Sequence, residues 1–309
     1  MKTLFIADPI ERLKPTTDSS FVFIRRCITR KHQAFWCSDK DVEFSGDKVL
    51  VHAMPVTESR VDETPHLGPR ERIPIHKFQL VFIRKDPPFD TSYVRLCWIL
   101  SLAEKRTTFL NLPSLLVRYH EKLIPIEAMA QGFLGSKDII STHLGSSETA
   151  VEFVRSLSTE EVVTKPFLGY GGTGVERVSA VSYMGKHLDA VVQPFKKEVL
   201  QGDHRVFFLE GKNIGSFARI PKAGGFISNL AAGGSAQAVK LKPSQLKVLD
   251  KLGKFLKKSK IFFAGADLIG NCISEVNITS PTGLRSFESL FGTDLSELIV
   301  SSAEKLSRR

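Results

Sequence analysis

The sequence predicts an α/β fold in which a parallel sheet opens the chain and antiparallel β structure dominates the remainder. Three observations lead there. Apolar strand-like runs alternate with helical patterns through the first third, the order that builds parallel βαβ units. Beyond Glu160 the apolar runs follow one another through short glycine-bearing turns, as hairpins do. The 309 residues, 42% hydrophobic and 25% charged, suit a soluble globular protein of about two ordinary domains.

The elements follow in order. "KTLFIAD" reads as a first strand, and "DSSFVFIRRCITRKH" as a helix with Asp18 or Ser19 at its N-cap. "QAFWCS" and "KVLVHAMPV" are further strands. Val56 to His76, polar and proline-rich, reads as a loop. "FQLVFIRKDPPFD" is a strand stopped by charges and a double proline. A helix from about Ser92 to Glu104 and a strand in "TTFLNLP" come next. Pro113 to Ala130 reads as one helical stretch. "EEVVTKPF", "VERVSAV" and "LDAVVQPF" are strands, the first two joined by the glycine loop "LGYGGTG". "DHRVFFLEGKNIGSFARIP" forms a hairpin turning at Glu210-Gly211-Lys212-Asn213, and Lys222 to Ser235 is a glycine-rich loop. Pro243 to Lys258 reads as an amphipathic helix with Pro243 in its first turn and Leu246, Leu249, Leu252 and Leu256 inward.

A net charge of +10 favours anionic partners. Part of the excess is the solvated face of the Pro243 helix, where no aromatic residues are interleaved for base stacking, so nucleic acid is not the expected partner. Cys27, Cys37, Cys97 and Cys272 form no C-x-x-C pair, and their spacing suggests neither zinc nor a disulfide framework. The start "MKTLFIADPIERL" reads as a strand, not a signal peptide, and no run of about 18 apolar residues predicts a membrane span. A cytoplasmic protein is expected.

Gly169 to Gly174, "GYGGTG", fits G-x-G-x-x-G, but a dinucleotide fingerprint needs a helix behind it and "VERVSAVSY" alternates as a strand. No P-loop pattern is present either. What remains is a strand, a glycine loop and a return strand, with Lys165 just upstream. Such backbone can close over an anion, and the lysine supplies a compact positive charge. An ordinary glycine-rich hairpin is the rival reading.

In "GADLIGNCISEVNITSPT", Gly265 to Thr282, Asp267, Glu275 and Asn277 interrupt two apolar strands. If Gly270-Asn271-Cys272 form a three-residue loop, Asp267 faces Glu275, and Asn277 shares that face. The three oxygens would then suit a hard cation such as Mg²⁺. A two-residue Gly270-Asn271 turn would put Ser274 opposite Asp267 and break the cluster. Solvent-facing polar residues on an edge strand are the alternative.

The motifs "DSSF", "RKDPPFD", "HEKL", "TKPFLGYGGTGV", "GDHRV", "ARIP", "NLAAGG" and "DLIGNCISEVNITSPT", in this order, give the chain its resemblance to the bacterial glutathione synthetases. These are carboxylate–amine ligases of the ATP-grasp superfamily. The resemblance runs nearly end to end and implies three lobes: an N-terminal parallel α/β lobe over residues 1–118, a central lid lobe over 119–190 and a C-terminal antiparallel-sheet lobe over 191–309. It implies that Lys122 and Lys165 bind the ATP phosphates, that Gly169, Gly171 and Gly172 cover them, and that Gln193, Pro194 and Phe195 line the adenine pocket. Asp267, Glu275 and Asn277 would ligate Mg²⁺, or Mn²⁺ in its place. Arg205 and Arg219 would stabilise an acyl phosphate and the oxyanion formed on amine attack. Ser19, Arg205, Asn229 and Arg285 would bind substrate, Arg285 through a carboxylate pair. The implied substrates are γ-glutamylcysteine and glycine, the implied assembly a homo-oligomer.

One departure stands out. Better-known members carry arginines at the positions of Ile227 and Ser235, so "KAGGFISNLAAGGSAQA" has Lys222 as its only cation. Fewer charges there would hold substrate carboxylates or phosphate less well, and Phe226 and Ile227 would suit a more apolar acceptor. A ligase with another acyl donor or amine, and a nucleotide-binding regulatory protein that has lost catalysis, are therefore the competing readings.

Overall fold

In the computed structural model, which describes residues 1–185 and 190–308, the opening strand β1 (Lys2–Ala7) is apolar on both faces and buried on both. Leu4 and Ile6 enter one core, Phe5 and Ala7 another. Helix α1 (Ser19–Thr29) covers the second face with Phe21, Phe23, Ile24 and Cys27. Asp18 is its N-cap, its carboxylate accepting the Ser20 N–H at 2.6 Å. Strands β2 (Gln33–Ser38), β3 (Val42–Ser45), β4 (Lys48–Glu58), β5 (His66–Leu67) and β6 (Glu71–Pro74) follow. β7 (Leu80–Arg84) repeats the two-sided burial of β1. Helix α2 (Thr91–Ser101) covers the first face with Tyr93, Leu96, Cys97 and Leu100, and β8 (Thr108–Leu110) ends the sheet.

The strand order is β3-β4-β2-β1-β7-β8, with β5 and β6 both paired to β4. β2, β1, β7 and β8 are parallel, as the alternating pattern predicted. β1 therefore lies between β2, reached through α1, and β7, reached by crossing to the other side. This reversal makes a topological switch point at the C-terminal ends of β1 and β7. The segment from Val56 to His76 departs from the expected loop: β4 runs on to Glu58, and β5 and β6 pair with it. Short edge strands tolerate the charges and prolines that disguised them.

The expected helix from Pro113 to Ala130 is two helices, α3 (Pro113–Arg118) and α4 (Ile124–Ala130). Pro125 fits the first turn of α4 but could not continue α3, and the break between them holds His120 and Lys122. Helix α5 (Ser147–Ser156), for which no element was anticipated, starts at Ser146, whose side chain accepts the Thr149 N–H. It packs Ala150 and Val154 on an antiparallel sheet of β9 (Glu161–Pro166), β10 (Glu176–Ser179) and β11 (Ala190–Pro194), ordered β10-β9-β11. The first two residues expected in the β11 strand, 188 and 189, lie outside the described residues.

The last sheet comprises β12 (Asp203–Leu209), β13 (Lys212–Ile220) and β14 (Ser235–Gln237), then β15 (Phe263–Ile269) and β16 (Cys272–Asn277) after helix α6 (Pro243–Lys258). All pairs in its order, β14-β13-β12-β15-β16, are antiparallel. The β12–β13 turn is only Glu210-Gly211, and Lys212 already belongs to β13 opposite Leu209. Helix α6 buries Val248, Leu249, Leu252, Phe255 and Leu256, whereas Leu246, expected inward, is 47% exposed. Helices α7 (Leu284–Phe291) and α8 (Leu295–Ser307) cover the opposite face. All four cysteines are free, and no described helix is long and apolar enough to cross a membrane.

Asn111, just past β8, joins the two large sheets. Its Nδ2 donates to the Phe263 and Ile278 carbonyls, both at 2.7 Å, and its Oδ1 accepts the Phe262 and Phe263 N–H groups at 2.8 and 2.9 Å. One side chain thus satisfies four buried backbone groups with its full amide capacity. Asn111→Ala is expected to cost about 3–5 kcal/mol, because those groups lose their partners. Urea unfolding would show a lower midpoint at an unchanged slope.

Candidate active site

A cleft opens between the β9–β11 sheet and the last sheet. Lys165, on β9, points across it to Ser274 Oγ and Glu275 Oε1, each at 3.2 Å. Lys122, in the break after α3, donates to Glu121 Oε1 at 2.8 Å and to the Gly169 carbonyl at 2.6 Å. Two lysines far apart in sequence thus line the cleft beside the glycine loop. In that loop Gly172 has φ +85°, and a Cβ there would lie 2.7 Å from Ile227 Cγ2. The 222–235 segment rests against the glycine loop at this point, and only glycine permits the approach.

The inner end of the cleft is apolar. Val163, Phe195 and Val199 form its wall, with Val175, Phe226 and Ile269 packed against them. The Phe226 ring meets Phe195 edge-on at 5.9 Å, and the Arg177 guanidinium lies 4.0 Å from the Phe195 centroid. Gln193 Nε2 donates to Thr142 Oγ1 at 2.9 Å, and the Phe195 N–H is bound to the Glu161 carbonyl. Such a slot suits a flat heteroaromatic ring. Phe226 and Ile227, read from the sequence as a cover for an apolar acceptor, are set against this slot and the glycine loop. Phe226→Ala is expected to raise KM for ATP about 3- to 10-fold through loss of one aromatic wall, with kcat little changed. Initial rates at varied ATP check this.

The hairpin resolves its two alternatives in an unanticipated way. The turn has two residues, Gly270-Asn271, since Ile269 pairs with Cys272. Gly270, at φ +59°, takes the left-handed position. Alone, that register would oppose Asp267 with Ser274. A bulge follows: Leu268 pairs with Ile273, Asp267 pairs with Glu275, and Ser274 is the extra residue. Asp267 and Glu275 therefore face each other after all. Asn277 pairs with Gly265 on the same face, but its Oδ1 accepts the Thr279 and Ser280 N–H groups at 3.0 and 3.2 Å.

Asp267 lies between two arginines. Arg205 Nε donates to Oδ1 at 2.7 Å, and Arg219 Nη2 is 2.8 Å from Oδ2. Arg219 also pairs with Asp203, its Nε 2.8 Å from Oδ1. Burial alone would push the Asp267 carboxyl up, but Arg205 and Arg219 outweigh it and hold the group at about 2. Burial also opposes ionisation of Glu275, yet Lys165 and Lys122 bring it below the usual carboxylate range. Glu121 moves the other way, raised by burial and by the charge of Glu275. Four acids, Glu121, Asp203, Asp267 and Glu275, are matched by four cations, Lys122, Lys165, Arg205 and Arg219. The cluster is electrically balanced and can accept a nucleotide whose charge is neutralised by metal.

The donor chemistry fits a hard cation: two carboxylate oxygens on the cleft wall, with the Asn277 oxygen engaged in its own turn. Among the described residues no three His, Cys, Asp or Glu side chains could hold an ion by themselves. Phosphate oxygens would have to complete the shell. Asn229 lines the cleft and caps a short turn through the Ala231 N–H. Ser19 and Arg285 are not brought there. Ser19 is fully buried with Oγ near the Leu284 N–H, and Arg285 pairs with Asp62 and Glu288. Sequence reasoning passed over Asp203, although "GDHRV" contains it, and Glu121, inside "HEKL".

Comparison with known proteins agrees with this geometry. Residues 1–117 match the prokaryotic glutathione synthetase N-terminal domain, and residues 134–292 the prokaryotic glutathione synthetase ATP-grasp domain. The glutathione synthetase of Prochlorococcus marinus subsp. pastoris is 32% identical over 97% of this chain and 98% of its own. That of Nitrosomonas europaea is 31% identical over 99% and 98%. Among solved structures, the D-cycloserine synthetase DcsG superposes with a TM-score of 0.65 at 14% identity, covering 100% of this chain and 99% of the other. The ATP-grasp ligase PsnB, complexed with its precursor peptide and AMPPNP, gives 0.64 at 12%, covering 100% and 98%. These two share the fold. With both domains matched in order and relatives aligned from end to end, the chain belongs to the prokaryotic glutathione synthetase family, ATP-dependent carboxylate–amine ligases of the ATP-grasp fold.

Proposed function

We propose that the cleft joins the cysteinyl carboxylate of γ-glutamylcysteine to the amine of glycine, with ATP converted to ADP and phosphate. The observation that carries this is the Asp203–Arg219–Asp267–Arg205 array beside two lysines and a glycine loop. In the first step the donor carboxylate attacks the γ-phosphorus, giving an acyl phosphate and ADP. Lys122 and Lys165 would hold the phosphates, and the glycine loop would exclude water. In the second step the amine attacks the acyl carbon. Arg205 and Arg219, fixed by their carboxylates, would face the oxyanion without reorganising before phosphate departs. Mg²⁺, or Mn²⁺, would be held by Asp267 and Glu275, with Asn277 if its oxygen turns, and would neutralise charge on the phosphates.

The three-lobe division at residues 118/119 and 190/191 is retained as part of this reading, as are the homo-oligomer and the cytoplasm. Four thiols outside any disulfide accord with a reducing compartment. The loss of two expected arginines at Ile227 and Ser235 favours, as a second reading, a ligase for a different donor or amine. ADP release decides between them. Turnover with γ-glutamylcysteine plus glycine is expected; turnover only with another donor or amine would replace the substrates, and Mg-ATP binding without turnover on any pair would indicate lost catalysis.

A further inference from the structure

The glycine loop has little backbone support of its own. Among the described residues, the backbone hydrogen bonds of Phe167 to Gly174 stay between Pro166 and Val175: the Gly169 N–H to the Pro166 carbonyl, Thr173 to Tyr170 and Val175 to Gly172. Leu168 and Tyr170 are exposed. From outside, Ile227 meets Gly172, and the break between α3 and α4 supplies two further ties. Lys122 Nζ holds the Gly169 carbonyl at 2.6 Å. The His120 imidazole lies flat on the Phe167 ring, with centroids 4.0 Å and planes 20° apart.

The break itself is well anchored. The Glu121 carbonyl accepts the Val276 N–H at 3.0 Å, which ties the break to β16. The Leu123 and Ile124 N–H groups reach back to the His120 carbonyl at 2.9 and 3.0 Å. Phe89 stands edge-on to His120 at 5.7 Å and contacts Tyr93, which is buried in the first core. His120 thus joins a fixed frame to a loop that lacks one. Its Nδ1 accepts the Lys122 N–H only at 3.4 Å, so the ring face makes its closer contact. Burial and the Lys122 charge hold its pKa down to about 4, so the ring is neutral at working pH. A neutral imidazole packs on a phenyl ring as an aromatic plate, and phenylalanine can take its place.

We infer that His120 is a positioning residue whose stack on Phe167 holds the glycine loop down over the phosphates. The inference rests on the proposed function and adds what keeps water from the acyl phosphate. An opened loop would let water attack the acyl carbon in place of the amine. That attack returns the donor carboxylate and releases phosphate, so ATP is consumed without an amide.

The test counts ADP released per amide formed. It also follows hydrogen exchange of residues 167–175 in enzyme carrying Mg²⁺ and a non-hydrolysable ATP analogue. The wild type is expected to release one ADP per amide. His120→Ala should speed the exchange about 2- to 10-fold, the worth of one stacked pair, and raise the ADP ratio above one. His120→Phe should restore both. Phe167→Ala should match His120→Ala, with the double variant no worse than either single one. A His120→Ala enzyme with lower kcat but unchanged exchange and one ADP per amide would make His120 merely structural and overturn the inference. So would a His120→Phe enzyme as leaky as His120→Ala, because the ring nitrogens and not the stack would then matter. Should His120→Ala fail to fold, Phe167→Ala gives the same two readouts from the other ring. If no donor and amine gave an amide, the proposed function would fall, while the exchange rates would still decide whether the stack holds the loop.

Discussion

Glu275→Gln is expected to lower kcat by about 10³-fold, roughly 4 kcal/mol of transition-state stabilisation, and to leave the fold intact. Glutamine keeps an oxygen for Lys165 Nζ, which stands 3.2 Å from Glu275 Oε1, so the change in Tm should stay within about 3 °C. What is lost is charge. Glu275 is held ionised against burial by Lys165 and Lys122, and without it the balanced cluster gains one net positive charge. Metal-free nucleotide should then bind no more weakly, while half-saturation of activity needs more Mg²⁺. That opposition separates a lost metal ligand from general damage. Titration of activity against Mg²⁺ and calorimetry with ATP measure the two sides. If the variant kept more than about a tenth of kcat, Glu275 would not be a metal ligand.

The same hairpin shows how far sequence alone reaches. The opposition of Asp267 and Glu275 was correctly expected, but from a three-residue loop, whereas the structure has the two-residue turn thought to forbid it. The bulge at Ser274 reconciles them. The extra residue of this bulge is a serine, with no glycine to mark it, so strand periodicity could not reveal it. Arg205 and Arg219 were legible as members of motifs; their shared grip on Asp267 was not, because it depends on β12 lying between β13 and β15. The Asx-type bonding that occupies Asn277 likewise depends on the chain's course after the strand.

In the fold, legibility followed burial. β1, β2 and β7 are apolar on both faces and were readable without ambiguity. β5, with two residues, and β6, "ERIP", pair only at an edge and carry no hydrophobic alternation. The 113–130 stretch kept a helical composition while Pro125 imposed a break, and that break delivers Lys122 to the cleft. Leu246 misled because leucine spacing alone does not fix which side of α6 faces inward. The buried Val248 and Phe255 set the face about one residue further round.

Arg219→Ala is expected to damage stability and catalysis together, by about 3–5 kcal/mol and about 10²- to 10³-fold in kcat. Arg219 is 4% exposed and is shared by Asp203 and Asp267. Removing it strands two buried carboxylates, and that uncompensated burial, rather than the worth of either pair, dominates the stability loss. Arg219→Lys keeps the charge but cannot span both acids with one ammonium, so it should recover part of the stability and little of kcat. The pH dependence carries an independent signature. Asp267 is depressed to about 2, so its ionisation contributes stability above its ordinary pKa near ~3.9, and this is lost as pH falls toward the folded value. Without Arg219, burial is opposed chiefly by Arg205 and the folded pKa rises. Acid unfolding of Arg219→Ala should therefore begin at higher pH than in the wild type, by more than its neutral-pH destabilisation accounts for. Acid-unfolding curves that differ only by that constant offset would show that Arg219 does not set the Asp267 charge.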